Sequence, residues 1–236
     1  MQRVLIYDKR SQEFVKHLQQ FPFIITFNKK KNRISLEEQN KEPILHLRLP
    51  LTKTYNELEN SLLDSVYENY VLIMIRAGIA SVGLFEHFEN TDHKVFRAYM
   101  VRKKQGKSQI KHLKTKGKSR AGSRIRLSES LDFFNEINER LNRYFSDHRI
   151  DRIGIACSET LLPYLYSAKN IPPFEKKDPR LFKIPKHVQN PTFESLLDTN
   201  DFLLQGELLL TPRGIEIWSS FDQTDADAFH DLDDNW

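Results

Sequence analysis

Val71-Leu72-Ile73-Met74-Ile75 is an unbroken apolar run closed by Ala77-Gly78, a pattern that fits a buried β-strand. The segments around it extend the pattern into a sheet. Val82 to Phe88 can pair with the run, and Lys94 to Arg102 alternates Val95, Arg97, Tyr99 and Val101 against Phe96, Ala98 and Met100. Three successive strands in a meander is the simplest arrangement. Further on, Leu131, Phe134, Ile137, Leu141 and Tyr144 or Phe145 recur at spacings of three and four, which predicts an amphipathic helix with Ser128 or Ser130 as its N-cap. Ile150 to Cys157 then reads as another strand and Glu159 to Ala168 as a short helix. The fold class expected is α/β, a mixed β-sheet with flanking helices, from which one large loop projects at a strand end.

Residues 1–68 read as a separate small α+β unit. Val4 to Tyr7, Phe23 to Phe27 and the alternating Pro43 to Leu49 predict strands, and Lys29-Lys30-Lys31-Asn32 predicts a turn. Asn56 to Tyr67 places Leu58, Leu62, Leu63 and Val66 at helical spacing. The main domain is expected over 69–221, with Gly214 to Trp218 as its last strand. Past Phe221 the chain has six Asp and no base except His230, so 222–236 is expected to be an acidic disordered tail.

Charge is distributed unevenly. Between Arg102 and Arg126 stand eleven Lys or Arg residues and no acid: Arg102, Lys103, Lys104, Lys107, Lys111, Lys114, Lys116, Lys118, Arg120, Arg124 and Arg126. The whole chain is only +4, so everything outside this segment sums to −7. A cationic loop on a mildly acidic body concentrates polyanions, and the release of counterions from nucleic-acid phosphates is the physical basis for expecting RNA or DNA as partner. A passive solvated loop is the competing reading.

Other classes are disfavoured. Cys157, the single cysteine, permits no intramolecular disulfide and lies in an apolar run suited to a buried thiol. The eight histidines show no metal-ligand spacing, and neither a metal nor any other cofactor is expected. No apolar run approaches the ~20 residues of a membrane helix, and no secretory leader pattern opens the chain, so a cytoplasmic address without membrane partners is expected.

One stretch of the basic segment resembles a known family. Tyr99-Met100-Val101-Arg102-Lys103-Lys104-Gln105-Gly106-Lys107-Ser108-Gln109 is similar to the GxxQ-bearing loop of the Vms-like release factors, peptidyl-tRNA-cleaving relatives of the eukaryotic and archaeal class I release factors. These include the ankyrin-repeat and zinc-finger peptidyl-tRNA hydrolase. Three further blocks follow the family's order: the strand, glycine, strand arrangement of Leu72 to Phe88, the small residues Ser119-Arg120-Ala121-Gly122-Ser123, and Lys177-Asp178-Pro179-Arg180-Leu181-Phe182-Lys183-Ile184-Pro185 with Pro191-Thr192-Phe193 behind it. The chain lacks a zinc finger and ankyrin repeats, and so resembles a compact member. Ser108 stands where the release factors proper carry a second glycine.

The resemblance implies a sheet-and-helix domain like the catalytic domain of class I release factors, and a role in ribosome quality control. Its partners would be the large ribosomal subunit carrying peptidyl-tRNA, the tRNA acceptor end and ribosomal RNA. Gln109 and Gly106 become the catalytic candidates. A glutamine amide does not titrate near neutral pH but offers a donor and an acceptor on one plane, so it can orient an attacking oxygen. Gly106 lets the backbone turn sharply and approach RNA closely. Arg102, Lys103, Lys104, Lys107 and Lys111 are candidates for RNA contacts near the site, and Lys114, Lys116, Lys118, Arg120, Arg124 and Arg126 for more diffuse ones. His112 is a candidate acid or base. Three activities stay open: endonucleolytic cleavage near the tRNA 3′ CCA end, hydrolysis of the peptidyl ester, and non-catalytic occupation of the peptidyl-transferase region.

Overall fold

The computed structural model describes the backbone of residues 1–98 and 119–233, and side chains over 1–98 and 132–222. In chain order its elements are β1 (Gln2–Ile6), α1 (Asp8–Leu18), β2 (Ile24–Asn28), β3 (Arg33–Glu37), β4 (Pro43–Arg48), β5 (Lys53–Asn56) and β6 (Ser61–Asp64). Next come β7 (Tyr70–Arg76), β8 (Ile79–Glu86), β9 (Glu89–Arg97), α2 (Ser119–Asp147), β10 (Arg152–Cys157) and α3 (Leu162–Ser167). The last are β11 (Leu181–Lys183), α4 (Phe193–Leu204), β12 (Gly206–Leu210) and α5 (Pro212–Asp233). Two compact units result: one of residues 1–67 with 200–236, the other of residues 68–199. Among the described residues no helix is long and apolar enough to cross a membrane.

The second unit is the α/β domain expected from its sequence. Its sheet runs β11-β10-β7-β8-β9, with β7, β10 and β11 parallel and β7-β8-β9 an antiparallel meander. The run Val71 to Ile75 is fully buried because both faces of the strand are covered. Val71, Ile73 and Ile75 pack in one core with Phe133, Phe134, Ile137, Leu141 and Tyr144, as the stripe predicted from Phe134 to Tyr144 requires, while the side chain of Leu131 lies outside the described residues. The opposite face carries Leu72 and Met74. There Gly83 leaves room for α4, since a Cβ on it would stand 2.5 Å from Leu196 Cδ2. His93 of β9 stacks on Phe193 at a centroid distance of 3.6 Å.

The N-terminal unit closes differently from expectation. Its antiparallel sheet has the order β1-β12-β4-β3-β2, so a strand from the far end of the chain sits between β1 and β4. Residues 200–236 therefore group with this unit, whereas the sequence assigns 200–221 to the main domain and 222–236 to a tail. Two helices accompany the sheet. Phe14, Val15 and Leu18 of α1 are buried with Ile217 and Phe221 of α5 in a core with β3 and β4.

Four local expectations are corrected. Asn56 to Tyr67 is no helix but the β5-β6 hairpin and its exit: Leu58, which a helix face would bury, is 95% exposed at the tip. The turn is set by Asn60 at φ 50° and by Tyr55 Oη donating to Asn60 Oδ1 at 2.8 Å. Gly214 to Trp218 lies in α5 rather than in a strand, because Gly214, Ile217 and Phe221 face the core at helical spacing. The α2 helix begins at Ser119, so Ser128 and Ser130 are interior positions rather than caps. Residues favourable to helix (Arg120, Ala121, Arg124, Arg126, Leu127) extend it from its packed half, at a cost of about 1 kcal/mol for Gly122. Finally, α1 is a helix the sequence reading did not predict, and α5 continues to Asp233 within the segment expected to be disordered.

Candidate nucleic-acid interface

The basic segment runs from beyond the end of β9 into the first turns of α2, and β9 and the packed half of α2 are tied into the domain. Ala98 N–H donates to Gly78 O at 3.0 Å, which carries the ladder one residue past β9. Gly78, at φ +80°, makes the two-residue turn from β7 to β8 that this ladder needs. On the helical side, Asn138 Nδ2 donates to Leu165 O (2.7 Å) and Asn170 O (2.6 Å), tying α2 to α3 and the chain behind it. Arg140 reaches Asp92 and the His93 carbonyl on β9, and Asn142 Nδ2 donates to Ile171 O at 2.9 Å.

Strand directions decide where the segment emerges. Since β9 is antiparallel to β8 and β8 to β7, the carboxyl end of β9 shares an edge with those of β7, β10 and β11. In α/β sheets with parallel strands, that is the edge where ligands bind. Of the sequence-predicted residues, Arg102, Lys103, Lys104, Gly106, Lys107, Gln109, Lys111, His112, Lys114, Lys116 and Lys118 lie outside the described residues. Arg120, Arg124 and Arg126 fall on the first turns of α2, with side chains outside the described set.

Two cations at this edge were not singled out by the sequence reading. Arg76 ends β7 and Arg97 ends β9, and both register with Ile79 of β8. They therefore share one row and one face of the sheet, the face of Leu72 and Met74. Arg76 Nε donates to Val188 O at 2.6 Å, and its Nη2 lies 3.1 Å from His187 Nδ1. Arg97 is exposed. The signal that marks them is a charged residue ending each strand, Arg97 only five positions before Arg102.

Among the described residues, Cys157 also ends a strand at this edge. Burial pushes the Cys157 thiol up to about 11, against the opposing pull of Arg76, and its Sγ faces Ser158 O at 3.4 Å. Among the described residues no group of His, Cys, Asp or Glu is placed to hold a metal ion. Asp178 and Arg180, in the block downstream of the loop, form a structural clamp. Asp178 accepts from Arg180 N, Nε and Nη2 at 2.8–3.0 Å, while Arg180 Nη1 donates to Ile150 O, which secures the entry to β11 beside β10. Those bonds from Arg180 hold the Asp178 carboxyl below its usual range.

The family model described as Bacteroidetes VLRF1 release factor matches residues 70–209, more than half of the chain and the whole of the sheet, the basic segment and α2. No protein of curated function matches. Among solved structures, the one titled "Vms1 mitochondrial localization core" aligns over 87% of this chain and 84% of its own, at 14% identity and a TM-score of 0.39.

Proposed function

Because the chain belongs to the Bacteroidetes VLRF1 release factor family, we propose that it is a release-factor-like enzyme that cleaves peptidyl-tRNA in ribosome quality control. The single observation that carries this reading is the family match running through the acid-free basic segment that holds Gly106 and Gln109. The proposed substrate is peptidyl-tRNA on the stalled large ribosomal subunit, with the tRNA acceptor end at the active segment and ribosomal RNA beside it. Cleavage falls near the 3′ CCA end, and the nascent chain leaves with the terminal nucleotides.

In this mechanism Gln109 positions a ribose 2′-OH for attack on the adjacent phosphorus. The bond from phosphorus to the 5′ oxygen breaks as the 2′-OH proton passes to solvent water and the leaving 5′ oxygen takes a proton from solvent, leaving a 2′,3′-cyclic phosphate on the shortened tRNA and a 5′-hydroxyl on the released fragment. Gln109 exchanges no proton; it aligns the attacking oxygen, and the surrounding Lys and Arg residues offset the charge that develops on the phosphoryl oxygens. Gly106 supplies the tight backbone approach. Ser108 in place of a second glycine favours this route over ester hydrolysis, in which backbone positions the water.

The test is purified protein incubated with large-subunit-bound peptidyl-tRNA, followed by mapping of the tRNA 3′ end. Wild type should yield a shortened tRNA, and Gln109→Ala should lower the rate by roughly 10²–10³ while binding persists, the scale for losing one positioned polar group. Peptide released from intact tRNA would assign ester hydrolysis instead. Binding without either product would leave a factor that occupies the peptidyl-transferase region.

A further inference from the structure

The row of Arg76 and Arg97 extends the cationic segment onto a defined face of the sheet, and we propose that it binds the phosphates of the single-stranded tRNA 3′ end. This inference rests on the reading of the chain as a peptidyl-tRNA-cleaving factor.

Three observations lead to it. The first is charge left uncompensated. In this unit Arg140, Arg143, Arg149 and Arg180 each pair with a carboxylate. Arg76 has only the Val188 carbonyl and the His187 ring as partners, and Arg97 has no hydrogen-bond or ion-pair partner among the described residues. Two guanidinium groups in register, with no acid in their row, repel each other unless an anion joins them.

The second observation is preorganisation. The Nε bond to Val188 O and the Nη2 contact with the His187 ring hold the Arg76 side chain in place, and its Nη1 has no partner among the described residues. A guanidinium already fixed loses little freedom on binding, and its planar fork suits phosphate oxygens. The third is position. Arg76 and Arg97 are two strand spacings apart, roughly 10 Å between backbones, so one RNA strand can reach both. Arg97 is also where the chain leaves the sheet toward Gly106 and Gln109, nine and twelve residues on. The face of Leu72 and Met74 is covered further in by α4, so a bound strand would cross the row at the carboxyl edge of the sheet, where the chain leaves Arg97.

The experiment measures binding of the full chain to a labelled single-stranded RNA with the tRNA 3′ sequence, and to an RNA duplex of equal length, over a range of salt. For the single strand, each phosphate contact removed should lower the slope of log K on log [salt] by about 0.7. Arg97→Gln should therefore lose about 0.7, and Arg76→Gln with Arg97→Gln about 1.4. Arg76→Lys and Arg97→Lys should retain the wild-type slope, and Gln109→Ala should leave it unchanged. Arg76→Gln gives up the Val188 contact, so its thermal unfolding is checked; Arg97→Gln, at an exposed strand end, decides the matter if the former is unfolded.

A wild-type slope in Arg97→Gln and in the folded double variant overturns the inference. So does a loss confined to the duplex, which would assign the row to helical ribosomal RNA. Cleavage is scored separately. Wild-type protein that binds the strand through the row yet leaves tRNA intact defeats the functional reading alone; cleavage and binding that ignore both substitutions defeat the row alone.

Discussion

A single side chain can weigh against a chemistry, and half-buried Cys157 does so here. The apolar run around it predicts a buried structural thiol rather than a nucleophile. At the end of β10, with Ile75 opposite it, Cys157 is half-buried, and desolvation favours its protonated form. With its pKa raised to about 11 by burial, the thiolate fraction at pH 8 is on the order of a hundredfold below that of an unperturbed thiol. Iodoacetamide should therefore alkylate Cys157 on the order of a hundred times more slowly than a free cysteine peptide at pH 8, as followed by mass spectrometry. Alkylation at the peptide rate would mean that the site opens readily. Asp178 and Arg180 teach a related lesson. Their block supports the family resemblance, yet its charged pair serves to fasten β11 to β10 rather than to meet a substrate.

At the scale of elements, periodicity was decisive where windows were long and misleading where they were short. The stripe from Phe134 to Tyr144 spans three turns and reads only as a helix face. Gly214-Ile215-Glu216-Ile217-Trp218 is five residues, and its alternation suits a strand as well as its spacing to Phe221 suits a helix. What selects the helix is packing. Gly214 lies so close to β4 that a Cβ there would stand 2.5 Å from the Ile44 carbonyl oxygen. Gly214→Ala sets a gain of about 1 kcal/mol in helix propensity against an overpacking cost of roughly 1–3 kcal/mol. Because the obstacle is backbone, the clash should win and lower the melting temperature. A melting temperature above wild type would show that α5 shifts freely on the sheet. In the β5-β6 hairpin, Leu58 and Leu62 mimic a helical pair, but Asn60 in the left-handed region turns the chain back before a second turn of helix can form.

Across the whole molecule, the order of strands is what sequence reading could least foresee. Gly206–Leu210 forms β12 between β1 and β4, and its partners lie some 160 to 200 residues earlier. Ending the chain after Thr199 removes this strand and α5, leaving β1 without a neighbour and opening the core around Phe14 and Leu47. Amides of β3 and β4 should then exchange freely in hydrogen-exchange measurements, while those of β7 and β8 stay protected; continued protection of β3 and β4 would show that residues 1–68 fold unaided. The sequence by itself determined the buried strand, the meander, the long amphipathic helix and the polycation between them, because each is a local pattern of burial or charge. It also carried the order of blocks that the family match spans. Only the tertiary structure decided which strand completes the N-terminal sheet, and that Arg76 and Arg97 share a row beside the basic segment. Those facts depend on pairing between distant residues, and a local window contains no energy term for a partner that lies outside it.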